Sequence, residues 1–386
     1  MRNKFFIGLV IILALGSLYF FVSLGNNSNL PENILESKAT VLSVDNSEIM
    51  TSNVSAIGYQ SLRVEIIEGI YKGEKVQADN SLNGQIEYDQ VYEKGDKIVI
   101  GIKHQDNQIQ QVRAIDYYRQ SWIGIIFIIF VLALLIYARF IGFKAILSFA
   151  FSLIILWKFL LENLLLGKDP ILLTSLTIMM LSGIIIFLVS GFNKRGLAAF
   201  LATTIGLLMT LVVTHFFGHQ LSLSGLTQPY AQTLMISGYH YLNLQEIFYA
   251  AIILGASGAA MDIAVDISAS MYEIKSKKPE IKIKELIESG FTVGRQVIGT
   301  MATTLLLAYS GSYLTLLMLF IARETSVTRM LNLKVVSAEI MRTLIGSIGL
   351  VIVAPTTALI AGVLFSYKFD LKYIIHKSKI VITSLF

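Results

Sequence analysis

Two aspartates four residues apart in an apolar stretch are the residues of this chain best placed to do chemistry. They are Asp262 and Asp266, within Gly255-Ala-Ser-Gly-Ala-Ala-Met-Asp-Ile-Ala-Val-Asp266. On a helix this spacing sets one carboxylate a turn above the other, and Gly255, Gly258 and Ala259 share their face. Small residues on that face let a second helix come close. A carboxylate inside a membrane span costs at least about 2.5–3.5 kcal/mol on insertion scales, so it must face a cavity or a partner. Three roles fit: cation ligand, proton carrier, or one half of a structural salt bridge. The salt bridge has a ready partner in Arg295, which opens the next apolar run at a similar depth.

That next run carries Gly299, Thr300, Thr303 and Thr304. The three threonines can share a helix face, where their hydroxyls either coordinate an ion or bond across helices. The competing reading returns each hydroxyl to the preceding turn of its own helix. The last long apolar run contains Gly346-Ser347-Ile-Gly349 and then Pro355-Thr-Thr357. Proline lacks an N–H and frees a carbonyl one turn earlier. Transporters use such broken helices to hold ions or substrates; a plain structural kink is the alternative. Together the three runs are expected to form a polar pocket centred on Asp262. Its pathway residues would be Asp262, Asp266, Arg295, Thr300, Thr303, Thr304, Ser347, Pro355 and Thr357. Gly255, Gly258, Gly299, Gly346 and Gly349 would be its helix-packing positions.

Other chemistries find little support. His215 and His219 are four apart and His240 follows, which is the kind of neighbourhood a Zn²⁺ or Mn²⁺ site wants. No acidic residue lies between them in the H-E-x-x-H manner, so they read as interfacial histidines, and no metal or other cofactor is expected. The chain has no phosphate-binding G-x-x-x-x-G-K-[ST] loop and no G-x-S-x-G elbow. An intramembrane aspartyl protease needs carboxylates from two helices, whereas Asp262 and Asp266 belong to one. The expectation is a protein that is not an enzyme.

The elements that must hold these residues are membrane spans. Charged residues make up only 15% of the chain, against about 25% in soluble domains, so most of its surface does not meet water. Apolar runs of about 20 residues match a hydrocarbon core roughly 30 Å thick. The absence of cysteine excludes disulfides and thiolate sites. A net charge of +5 falls in short loops between apolar runs, which points to orientation in a lipid bilayer and not to nucleic acid.

The expected architecture is an α-helical polytopic membrane bundle of about eight spans, with a small all-β, barrel-like, five-strand domain inserted outside the cytoplasm. Residues 1–24 form a signal-anchor span and residues 25–121 the extracytoplasmic β-rich domain. Residues 122–366 form a seven-span helical domain, and residues 367–386 a basic cytoplasmic tail. Strands are expected over 38–44, 62–67, 74–78, 97–103 and 111–115, separated by turns such as Lys72-Gly73 and Lys94-Gly95-Asp96, in an OB- or SH3-like barrel. The seven later spans fall near 122–138, 143–161, 171–189, 197–216, 247–267, 297–321 and 344–365. Segments 279–290 and 327–341 read as amphipathic helices along the membrane surface.

With both termini in the cytoplasm, the inner loops hold Lys194, Arg195 and the run Lys275, Lys277, Lys278, Lys282 and Lys284. The loop with Arg323, Arg329, Lys334 and Arg342 then falls outside, against the rule. A re-entrant turn at Tyr309-Ser-Gly-Ser312 would move that loop inside and leave seven full spans. The eight-span version keeps the more strongly basic tail in the cytoplasm and is preferred.

At these same residues the chain resembles the YibE/F-like family of bacterial membrane proteins. The resemblance is carried by Gly255-x-x-Gly258-x-x-Met261-Asp262 and by Gly294-Arg295, Gly299-Thr300-Met301, Thr304-Leu305 and Ala308-Tyr309. It continues in Gly346-Ser-Ile-Gly349 and Pro355-x-Thr357, and in Gly73, Asn80, Tyr88-Asp89 and Gly95-Asp96 of the β-rich insert. The chain departs from the family pattern at Gln296, Thr303 and Asp266, which favours Asp262 as the shared functional residue. The resemblance implies the architecture and no particular activity. The expected function is a transporter or channel for a small ion or solute, as a homo-oligomer or with a paralogous membrane partner. The alternative is a non-transporting receptor or scaffold whose β domain binds a partner.

Overall fold

The computed structural model describes residues 34–366, except 53–54, 86–87 and 106–107. The apolar run 5–24 and the basic tail 367–386 lie outside the described residues. The chain forms two compact units that divide between Tyr137 and Ala138.

In the first unit, β1 (Ile34–Thr51), β2 (Ala56–Ile66), β3 (Lys75–Asn83), β4 (Lys97–Gln105) and β5 (Gln108–Tyr117) close a barrel. The strand order is β1-β2-β3-β5-β4. All neighbours are antiparallel except β3 and β5, which run parallel and meet at Asp79 and Arg113. This is OB-type connectivity. The strands outrun their expected limits because β1 serves two partners. Ala39 pairs with Ile98 of β4 and also with Ile66 of β2. Register shifts at Val41/Ser43 and Asp45/Glu48 bend β1 within its β2-paired part, just past the last β4 pair at Thr40, as barrel closure needs. Alternate residues point inward with the period of two, so Ala39, Val41, Leu62, Val64, Ile98, Ile100 and Ile102 are buried together.

Two polar residues also face inward, and they explain how one long loop closes the barrel. Gln60 is fully buried. Its Nε2 donates to the Tyr92 carbonyl at 2.7 Å, and its Oε1 accepts from the Tyr92 N–H and from Asn80 Nδ2, both at 3.0 Å. Asn80 Nδ2 also donates to the Gln90 carbonyl at 2.7 Å. The β3–β4 connection is thereby drawn in, with the Tyr92 ring in the core.

The helices are α1 (Gln120–Ile154), a π-helical turn (Ile155–Leu161), α2 (Glu162–Leu165), α3 (Pro170–Ser190), α4 (Lys194–Gln220) and α5 (Ala231–Ile236). Then come α6 (Leu244–Lys277), α7 (Ile283–Ser312), α8 (Leu314–Ala322), α9 (Val327–Asn332) and α10 (Lys334–Ser366). Caps fix several starts: Asp169 accepts from the Leu172 N–H with Pro170 at the first position, and Asn193 and Asn243 cap α4 and α6.

Among the described residues five helical stretches are long and apolar enough to cross a membrane: 120–165, 170–190, 194–220, 244–277 and 334–366. A sixth results if α7 and α8, bent by 67° at their junction, count as one. The count of eight is therefore not reached. Part of the difference is the run 5–24. The rest is the stretch 120–165, which is helical through both spans expected there and departs from helical dihedrals at Arg139 (φ 47°, ψ −117°). The expected surface helices also differ. From Ile283 onward the first is continuous with α7, and the second splits at Leu333 between α9 and the start of α10. The first is thus an extension of a long helix, and the second is a short separate helix followed by the first turns of α10.

Packing in the second unit centres on α6, which touches α3, α4, α7 and α10. Glycines set the register. A Cβ on Gly294 of α7 would stand 3.3 Å from Ile267 of α6 and 3.4 Å from Ala354 of α10. One turn earlier, Gly290 meets Met271 and Ala358; further along, Gly346 of α10 meets Leu305 and Ala256. Rising along α7 therefore descends both neighbours, so α6 and α10 are parallel and α7 opposes them. The segment 323–333 consequently lies at the Leu244 end of the bundle, opposite the lysine-rich turn at 278–282. A re-entrant α7 would bring both loops to one end, and this packing does not.

Candidate functional site: a polar face on α6 and α7

The most central helix carries the carboxylates on its one uncovered line. Ile252, Ile253, Ala256, Ala260, Ile263, Ala264 and Ile267 of α6 are buried to 4% exposure or less, whereas Gly255, Gly258, Asp262 and Asp266 are exposed. The helix burial pattern leaves a stripe one residue wide, recurring every three or four positions. Across from it, α7 exposes Arg295, Gln296, Gly299, Thr300, Thr303 and Thr304. The Gly294–Ile267 and Gly290–Met271 contacts put Arg295 at the level of Asp266 and Gly299 at the level of Asp262. Among the described residues no ion pair joins Arg295 to either aspartate.

The structure exposes six expected pathway residues, Asp262, Asp266, Arg295, Thr300, Thr303 and Thr304, on the adjoining helices α6 and α7; on α10, which packs against both, Ser347 and Pro355 are half-buried and Thr357 is buried. Thr357 is fully buried and gives its hydroxyl to the Val353 carbonyl at 2.7 Å. Val353 in turn lies against Gly206 of α4. Ser347 returns its hydroxyl to the Thr343 carbonyl at 2.9 Å. Pro355 sits inside an unbroken α10, flanked by Thr356, whose hydroxyl bonds the Ile352 carbonyl at 2.7 Å. On α7, Thr300 and Thr304 likewise bond the carbonyls of Val297 and Thr300, at 3.1 and 3.0 Å. Each of these hydroxyls still has lone pairs with which to accept.

The glycines divide in the same way. Gly349 packs on Thr210 of α4, Gly346 on Leu305 and Ala256, and Gly255 under the Tyr309 hydroxyl. Gly258 and Gly299 meet nothing within 4 Å, so the close approach expected there is not made among the described residues. Both lie on the uncovered face. Closer contacts occur at glycines the sequence reading passed over, Gly206 against Val353 and Gly218 against the Tyr249 ring.

A second polar group went unread in the sequence. Near the start of α10, Arg342 Nη1 lies 3.5 Å from Glu339 Oε1, with their side chains only 17% and 13% exposed. Arg342 Nη2 donates to Gln228 Oε1 at 2.5 Å, and the guanidinium stands 5.8 Å from the Phe248 ring centre. Tyr309, in the last turn of α7, and Tyr313, at the α7–α8 bend, lie within electrostatic reach of this pair. The signal was there, an acid and a base three apart at the head of an apolar run, but the segment read as a surface helix. Among the described residues no group of three His, Cys, Asp or Glu could hold a metal, and His215 instead sets its ring edge-on to Tyr249 at 5.8 Å.

A bundle of long apolar helices following a closed β-barrel defines a polytopic membrane protein with an N-terminal β domain. The chain belongs to the YibE/F-like family: the model of the YibE/F-like protein matches residues 126–367, and that of the YibE/F family N-terminal domain matches residues 35–117. No curated protein and no solved structure matches it.

Proposed function

We propose that this protein is a cell-membrane transporter or channel for a small ion or solute, with Asp262 in its pathway. One observation carries the reading: two carboxylates on α6 and three threonines on its antiparallel neighbour α7 stand on the exposed sides of a pair of helices in an otherwise apolar bundle. Carboxylate and hydroxyl oxygens are the ligands hard cations take, and a carboxylate shielded from water also carries a proton. The 67° break between α7 and α8 adds to it, since discontinuous helices frame ion sites in transporters.

The topology we propose has eight spans. The run 5–24 serves as a signal anchor, and residues 120–165 cross twice with the turn near Arg139. At about 1.5 Å per residue that stretch would be roughly 69 Å long if straight, over twice a hydrocarbon core. Both termini would then be cytoplasmic and the barrel extracytoplasmic.

The test is ion and proton flux in proteoliposomes, wild type against Asp262→Asn, with both proteins folded in detergent. Flux that is lost in Asp262→Asn is the expected result. No flux above empty liposomes across a broad panel of ions would sink the reading. It would favour a receptor or scaffold, which has support of its own in an open cleft of about 590 Å³ between β3 and β5, lined by Tyr71, Gln77, Gln108 and Gln111.

A further inference from the structure

We infer that the uncovered face of α6 and α7 is closed by a second copy of this chain, with Arg295 of each protomer paired to Asp266 of the other. A lone stripe of small residues would not carry this. The face also exposes both signs of charge at one depth, Asp266 on α6 and Arg295 on α7, and no ion pair holds either among the described residues. Lipid cannot solvate these groups, and intramembrane charges are met by one another or by water-lined cavities.

The face is complementary to itself. A two-fold axis along the bilayer normal keeps every residue at its own depth, and an isologous contact makes each pair twice. Arg295 therefore arrives at the level of the partner's Asp266. Gly258 and Gly299 have open space where a Cβ would project, which leaves room for the partner's backbone to approach. With two aspartates and one arginine per face, pairing Asp266 leaves Asp262 without a cation. Asp262 then faces the seam between copies together with Thr303, which lies on the Arg295 side of α7. The pairing stands on the face alone, and only the use of the seam as a pathway rests on the transport reading.

The chain contains no cysteine, so single-cysteine variants need no further engineering. Gly258→Cys should form a disulfide between two full-length chains on mild oxidation in vesicles, whereas Val212→Cys, on an exposed position of α4, should not. Labelled protein diluted in liposomes should show pairs by single-molecule photobleaching. Arg295→Asp should reduce the paired fraction at least tenfold, and the double variant Arg295→Asp/Asp266→Arg should restore it. If the charge variants fold poorly, Gly258→Leu supplies the same test through steric exclusion. Monomers at every density, crosslinking at Val212 in place of Gly258, or no rescue by the charge swap would each overturn the inference, including the case in which a different chain covers the face. Flux on the same preparations separates the two readings: pairs without flux uphold the interface and sink transport, and conducting monomers do the reverse.

Discussion

Arg342 of α10 donates a 2.5 Å hydrogen bond to the side-chain oxygen of Gln228, 114 positions earlier in the chain. The bond ties the segment after α4 to the head of α10, at the end of the bundle where α6 begins and α7 bends. Arg342 also holds Glu339 and stands near the Phe248 ring of α6, so one guanidinium joins three parts of the second unit.

Removing that guanidinium should loosen the bundle more than removing either neighbour. Arg342→Ala strands the largely buried Glu339 carboxylate, and breaking such a pair is expected to cost roughly 2–4 kcal/mol once its partial exposure is allowed for. Gln228→Ala should cost about 1–2 kcal/mol, the worth of a hydrogen bond to a charged group. Unfolding of the purified protein in detergent, followed by tryptophan fluorescence, ranks the two. Equal stabilities for wild type and Arg342→Ala would show that the cluster contributes nothing to the fold.

Glycines of similar appearance should respond in opposite ways. Gly206 lies against Val353, so Gly206→Leu forces α4 and α10 apart, at about 1–3 kcal/mol or more for overpacking. Gly258 meets nothing, so Gly258→Leu should leave the stability of the isolated chain within about 0.5 kcal/mol of wild type, as surface substitutions do. Melting in detergent at high dilution makes the comparison, and a Gly258→Leu protein as unstable as Gly206→Leu would mean that the α6 face is packed.

In the barrel, Gln60→Ala should free the β3–β4 loop. It leaves the Tyr92 N–H and the Asn80 amide without their shared acceptor in a buried site, a loss of about 2–4 kcal/mol from two unsatisfied donors. Hydrogen exchange of the full-length protein should show faster exchange over residues 88–92, with the β1–β2 ladder little changed. Unaltered exchange at Tyr92 would place the loop's anchor elsewhere.

Much of this fold was legible, and the illegible part has a physical cause. All five strands lie where alternation and turn residues put them, because a period of two is a local signal. Their true lengths were not legible, since Ala39 pairs on both sides only in a closed barrel. The carboxylate spacing of Asp262 and Asp266 correctly put both on one face. Whether that face is covered depends on which neighbours surround α6, and an all-round apolar helix does not reveal them. Thr357 shows the same limit: its type and its place after Pro355 suggested a ligand, while its hydroxyl bonds the Val353 carbonyl one turn back and the packing of α10 buries it, which no spacing rule reveals. Arg342 was visible as a charge, but its partner Gln228 is too distant in sequence for any spacing rule to find.

The junction between barrel and first helix should be sensitive to acid. Asp116 Oδ2 lies 2.6 Å from Arg119 Nη1. The Arg119 hydrogen bond, aided by the Tyr117 N–H, holds the Asp116 carboxyl below the usual carboxylate range. A carboxyl whose folded pKa is depressed adds stability above its unfolded pKa, near 3.9, and loses it as pH falls through the folded value. Both side chains are about half exposed, so the gain is modest. Arg119→Gln removes the first cause, and the Asp116 pKa should return toward its ordinary value. Melting temperatures of wild type and Arg119→Gln should therefore differ at pH 6 and converge as the pH drops below the folded pKa of Asp116. A difference that persists unchanged into strong acid would show that Arg119 acts through packing on Tyr117, whose ring lies 5.6 Å from the guanidinium, and not through the carboxylate.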